Sequence, residues 1–115
     1  MGLVDRFKRR RGKPGTTRAA DSDDAQHLRA WGAARRGVEA YVEPPTAVTG
    51  LTVVLVAHDG EWTRRRIEGE KGARRLGKDL AIPVYDVHRV GYPQRMRDHD
   101  ARTRILRDRE RRSGL

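Results

Sequence analysis

The stretch LTVVLVAHDGEWTRRRI, residues 51–67, decides the fold. Its first seven residues are largely β-branched and almost continuously apolar, the strongest strand signal in the chain. Asp59-Gly60 supplies the residues preferred in a two-residue type I′ turn. EWTRRRI then returns as the partner strand. Such a turn predicts a register in which His58 opposes Glu61, Ala57 opposes Trp62, Leu55 opposes Arg64 and Val53 opposes Arg66. The last three pairs then share one face of the sheet. Val56 with Thr63, Val54 with Arg65, and Thr52 with Ile67 share the other.

Upstream, DSDDAQHLRAWGAARR reads as a helix. Asp21 or Ser22 is placed to cap it, Asp23 and Asp24 suit the positive end of its dipole, and Leu28, Trp31 and Ala34 follow helical spacing. Gly37 is a natural stop. VEAYVE alternates Val38, Ala40 and Val42 with Glu39, Tyr41 and Glu43, the period of a short strand, and Pro44-Pro45 ends it.

Downstream of Gly69, EKGARRLGKDLA reads as a helix with Ala73, Leu76, Leu80 and Ala81 on its apolar side. Ile82-Pro83 breaks it, and VYDVHRV reads as another strand. Pro93 opens a last helix. Tyr92, Met96, His99, Thr103 and Leu106 form its seam, which is apolar mainly over the first two turns. Aspartates and arginines alternate along it, with Asp98–Arg102 and Asp100–Arg104 spaced for i,i+4 pairs. The expected fold is α+β: a small, antiparallel-rich sheet in one domain, element order α-β-β-β-α-β-α, with helices on one face. The expected layout is a flexible basic tail over residues 1–20, the domain over 21–107, and a fraying end over 108–115.

The 115 residues allow one domain and a small core. The net charge of +10 is unevenly spread. Residues 1–20 carry seven Lys/Arg and one acid, residues 21–90 eleven of each sign, and residues 91–115 eight Arg and four acids. The excess therefore sits at the two ends, a footprint of contact with a polyanion. With no cysteine, disulfide and thiolate chemistry are excluded. No apolar run approaches the roughly 18 residues of a membrane span. The start of the chain lacks a signal-peptide core, so the expected compartment is the cytoplasm, with no stable membrane insertion.

Two segments point to nucleic-acid contact. Trp62, Arg64 and Arg66 alternate along one face of their strand. On an open face, an aromatic ring among guanidinium groups makes a stacking surface for single-stranded bases. Under a helix, Trp62 would be core and the arginines would protect an edge strand. IEGEKGARRL places Gly69-x-x-Gly72 at a helix start, with Lys71, Arg74 and Arg75 beside it to meet phosphates. The loop is similar to the RNA-clamping loop of KH domains, although a strand precedes it where those domains have a helix. His27, His58, His88 and His99 show no ligand spacing, so no metal site is expected. No nucleophile–base pair or dinucleotide fingerprint is visible, so neither a catalytic residue nor a cofactor is expected.

The stretches VEP, DGEWTRR and IPVYDV…GYPQRMRD resemble those of a group of short, basic actinobacterial proteins, over about residues 28–102. The resemblance implies a bacterial cytosolic protein. Some members of the group carry a generic oxidoreductase label, which implies a small flavin- or deazaflavin-dependent reductase. The residues themselves favour a non-enzymatic module that binds RNA, the ribosome or DNA through Trp62, Arg64, Arg66, Lys71, Arg74 and Arg75. A protein-interaction module using an open sheet face is the alternative.

Overall fold

A computed structural model describes residues 22–48 and 50–114. The basic tail expected over 1–20, and Asp21 as a cap, lie outside the described residues. The elements in chain order are α1 (Ser22–Ala33), β1 (Glu39–Glu43), β2 (Thr52–Val56), β3 (Trp62–Arg66), α2 (Gly69–Leu80), β4 (Val84–Asp86), the one-turn α3 (Val87–Val90) and α4 (Gln94–Ser113). They form an α+β fold around one four-stranded sheet of order β3-β2-β1-β4. β2 pairs antiparallel with both β1 and β3, and β4 adds parallel to β1. The expected last strand is shorter than its apolar pattern suggests. Asp86 accepts a hydrogen bond from the His88 amide and turns the chain into α3.

β2 is interior in the sheet, and Val53, Val54, Leu55 and Val56 are all fully buried. Both of its faces are therefore covered, which corrects the expectation of helices on one side only. Across one face, Leu28 and Trp31 of α1 and Ala73 and Leu76 of α2 pack on Ala40, Val53, Leu55 and Ile67. Across the other, Met96 of α4 packs with Tyr41, Val54 and Val56, joined by Trp62, Val87 and Tyr92. A near-continuous apolar strand is what double-sided burial demands. Each such Val or Leu contributes about 1.5–3 kcal/mol when removed from water.

The β2–β3 turn is not the two-residue turn expected. Gly60 N–H donates to the Ala57 carbonyl, and Ala57 N–H donates to the Glu61 carbonyl. The loop therefore holds three residues, His58, Asp59 and Gly60. Only Gly60 among them has positive φ, at 94°, whereas a type I′ turn needs two such residues. The Asp59 carboxylate accepts from the Glu61 amide and fixes the bend. The extra residue slips the register by one. Trp62 faces Val56, Thr63 faces Leu55, Arg64 faces Val54, Arg65 faces Val53 and Arg66 faces Thr52. Trp62, Arg64 and Arg66 thus still share a face, but it is the Val54/Val56 face under α4, and Ile67 joins the opposite core.

Gly60 is also where α4 comes closest. A Cβ there would lie 2.0 Å from the Arg95 carbonyl oxygen and 2.8 Å from the His99 Cβ. Arg95 closes the contact from the other side: Nε donates to the Ala57 carbonyl at 2.9 Å, and Nη2 reaches Glu39 at 2.8 Å. α4 then continues to Ser113, past Leu106, where fraying was expected from the end of the apolar seam.

Two stability outcomes follow from these backbone positions. Gly60→Ala must adopt an unfavourable φ and push α4 away, and should cost about 3 kcal/mol or more. Ala81, which ends α2 at φ 55°, is the reverse case. Ala81→Gly relieves a left-handed alanine and should gain about 0.5–1 kcal/mol. Urea denaturation of the two variants beside the parent chain measures both, and a neutral Gly60→Ala would contradict the close approach.

Candidate nucleic-acid interface

The alternation in EAYVE sends Glu39, Tyr41 and Glu43 to the same sheet face as Trp62, Arg64 and Arg66. Two carboxylates on a partly covered face need partners, and the arginines supply them. Arg64 grips Glu43 with two hydrogen bonds, Nε to Oε1 at 2.8 Å and Nη2 to Oε2 at 2.9 Å. Thr52 Oγ1 donates to the same carboxylate at 2.6 Å, and the Tyr92 hydroxyl donates to its Oε2. Glu43 is 12% exposed and Arg64 44%, so the pair bridges the interior and the surface. Burial pushes the Glu43 carboxyl up, but the bonds from Arg64, Thr52 and Tyr92 outweigh it and hold its pKa below the ordinary value. On the same face, burial and then the hydrogen bond to Glu39 push the Tyr41 phenol up to about 12.

Trp62 is partly buried and held from both its edge and its face. Its indole N–H donates to Asp100 of α4 at 2.9 Å, and the Arg64 guanidinium lies 5.2 Å from the ring centroid. The ring therefore packs between the sheet and α4 rather than standing free as a platform. Arg65 points to the other face, 4.0 Å from Asp24. Arg66 faces Thr52, and its Nε is buried with no hydrogen-bond partner among the described residues. A groove of about 470 Å³ opens at this end of β3, lined by Glu43, Thr52, Tyr92 and the three arginines 64–66, among others.

Lys71, Arg74 and Arg75 do not join this group. They lie on α2, whose Ala73 and Leu76 pack on the opposite face of the sheet. Arg74 sits 3.8 Å from Glu70 and borders a separate hollow of about 570 Å³, with Leu51, Val84 and Tyr85. The six residues singled out in the sequence therefore split into two sets on opposite sides of the sheet. Gly69-x-x-Gly72 begins α2 with no side-chain cap from Glu68.

Sequence reasoning passed over Glu39, Glu43, Tyr92, Arg95 and Asp100, the partners that occupy the β3 arginines, Trp62 and α4. The signal for the two glutamates was present: their period-2 position opposite Ala40 and Val42 forces them onto one face. The α4 partners had none, because nothing local says which sheet face α4 will cover.

On α4 itself the expected Asp98–Arg102 and Asp100–Arg104 pairs give way to a different i,i+4 contact for Asp98 and to tertiary partners for Asp100 and Arg102. Asp98 accepts from Gln94, Asp100 from Trp62, and Arg102 donates to the Asp59 carbonyl at 3.0 Å. Arg104, Arg107, Arg109 and Arg112 are exposed, and their side chains make no hydrogen bond or ion pair among the described residues. Ile105 and Leu106 beside them are 50% and 58% exposed. No group of three or more His, Asp or Glu among the described residues is placed to hold a metal ion, and no helix there is long and apolar enough to cross a membrane. Compared with known proteins, the chain matches no family model, no curated protein and no solved structure.

The Glu43 network sets a pH dependence. Its folded pKa lies below the ordinary 4.5, so its stabilisation is complete above 4.5 and is lost as pH falls through the folded value. Glu43→Gln should therefore cost about 1–2 kcal/mol near pH 7, discounted for the half-exposed Arg64, and less near pH 3. Urea titrations of both chains at the two pH values decide it. A cost that stays constant between them would rule out the ionised clamp.

Proposed function

We propose that the chain is a non-enzymatic module that binds RNA or DNA through the outer half of α4. The observation that carries this reading is the contrast between used and unused arginines. Arg64 and Arg95 are held by Glu43 and Glu39, and Arg35 by Glu61. Beyond Thr103, α4 buries no face and leaves four arginines without a partner among the described residues. A helix that is polar all round stabilises itself through dense ion pairing or meets something outside the fold. Among the described residues, the ion pairing over that half is the 3.3 Å contact of Arg111 with Asp108.

Arg104, Arg107 and Arg111 fall at i, i+3 and i+7, a stripe about 10 Å long in which Arg104 and Arg107 have no partner among the described residues and Arg111 keeps its exposed contact with Asp108. Such a stripe suits successive phosphates along a groove wide enough to admit a helix. The basic residues of 1–20 would add attraction that does not depend on sequence. Arg64 of β3 has a different task, holding Glu43 of β1 and lying over Trp62, so the stacking role weighed for Trp62 is not part of the proposal.

The test is binding of a fluorescein-labelled oligonucleotide by anisotropy across about 50–200 mM salt. Affinity should fall steeply, with a log–log slope that drops by about 0.9 for each phosphate contact removed. Arg104→Gln, Arg107→Gln and Arg111→Gln together should flatten the slope by about 2–3 and leave the melting temperature nearly unchanged. No association at low salt, or an unaltered slope in the triple variant, would refute the assignment.

A further inference from the structure

Among the described residues, Arg66 is the β3 arginine whose side chain makes no hydrogen bond or ion pair. It lies in the same cross-strand row as Glu43, through the pairs Glu43–Thr52 and Thr52–Arg66. Yet both Glu43 oxygens are taken by Arg64, Thr52 and Tyr92. The carboxylate nearest in register is thus already saturated. The Arg66 Nε is buried without an acceptor among the described residues, a costly condition for a charged donor. Arg64, Arg65 and Arg66 line the groove together against the single carboxylate of Glu43. Arg64 is matched by Glu43, and Arg65, which points to the other face, by Asp24 at 4.0 Å, so the surplus charge at the groove is that of Arg66.

We propose that this groove is a binding site for a phosphate monoester group, with Arg66 as its principal donor. A phosphate group carries enough charge to meet Arg66, and enough oxygens to reach the half-exposed Arg64 as well, whereas a carboxylate offers only two oxygens. Arginine's planar fork suits phosphate oxygens, and the Glu43 clamp holds Arg64 in place so that little side-chain freedom is lost on binding. The groove, at about 470 Å³, has room for the group that carries the phosphate as well as the phosphate itself. The site stands apart from the outer half of α4. Tyr92, ahead of that helix, reaches Glu43, whereas Arg95 and Arg102 of the helix meet Ala57 and Asp59 by the hairpin turn, so its outer half lies toward the opposite end of β3. The proposal therefore does not depend on nucleic-acid binding by α4.

The experiment is an NMR titration of the full chain, ¹⁵N-labelled, following the arginine Nε–H signals as inorganic phosphate replaces chloride at constant ionic strength. The Arg66 Nε–H should shift and saturate with a dissociation constant on the order of 1 mM. Arg66→Gln should weaken binding by about tenfold or more while the rest of the spectrum stays folded. Arg66→Lys keeps the charge without the fork and should bind between the two. The triple α4 variant should bind phosphate like the parent. Titration with a 5′-phosphorylated and a 5′-hydroxyl oligonucleotide then separates the sources. A preference for the former at Arg66 identifies a strand end, and equal behaviour with continued phosphate binding identifies a small phosphorylated molecule. Absence of a saturable Arg66 shift, or unchanged binding in Arg66→Gln, would overturn the site.

Discussion

Gly60 beneath the first turns of α4 is the constraint on which the rest of the structure depends. Its positive φ closes a three-residue loop, and the loop length fixes the β2–β3 register. Register in turn decides which face each side chain of β3 meets, because a slip of one residue exchanges the faces. The missing Cβ also lets the Arg95 carbonyl approach, so the same residue brings α4 onto the sheet. Arg95 then ties α4 to the Ala57 carbonyl and to Glu39. Backbone shape, strand pairing and helix docking meet at this one position.

From that register comes the fate of the cations. Once Trp62, Arg64 and Arg66 face α4, two of them find partners inside the fold: Asp100 for the indole and Glu43 for Arg64. The clamp is a mixed one, partly buried on the glutamate side and open on the arginine side, which makes it worth more than a surface pair and less than a buried one. Among the described residues, Arg66 at one end of β3 and Arg104, Arg107, Arg109 and Arg112 of α4 beyond the other make no side-chain hydrogen bond or ion pair. A net charge of +10 is therefore a poor guide by itself; the pairing pattern decides which charges remain for a ligand.

Much of the architecture was legible in the residues. The apolar run of 51–57, the alternation of 38–43 and the helical spacing of 69–81 each carry a period that only one element satisfies. Trp62, Arg64 and Arg66 were correctly read as sharing a face, since that follows from the strand alone. Which face was misread, because Asp59-Gly60 fits either a two-residue or a three-residue loop and the choice is made by α4 packing on Gly60. The grouping of Lys71, Arg74 and Arg75 with the β3 arginines failed for a related reason. Nearness in sequence across Gly69 does not survive the turn that sends α2 to the opposite side of the sheet. Asp98 and Asp100 had helical neighbours to pair with, and for Asp100 a tertiary partner, Trp62, prevailed over the local one.

The central claim is a division of labour, with Trp62 and Arg64 spent within the fold and the end of α4 free to act. Mapping the ¹⁵N–¹H spectrum of the full chain while adding a single-stranded oligonucleotide tests it most directly. The account predicts that amide signals over residues 104–112 move while the Trp62 indole N–H, held by Asp100, keeps its position. A shift of the Trp62 indole with α4 unmoved would contradict it, and would return the binding surface to the face of β3.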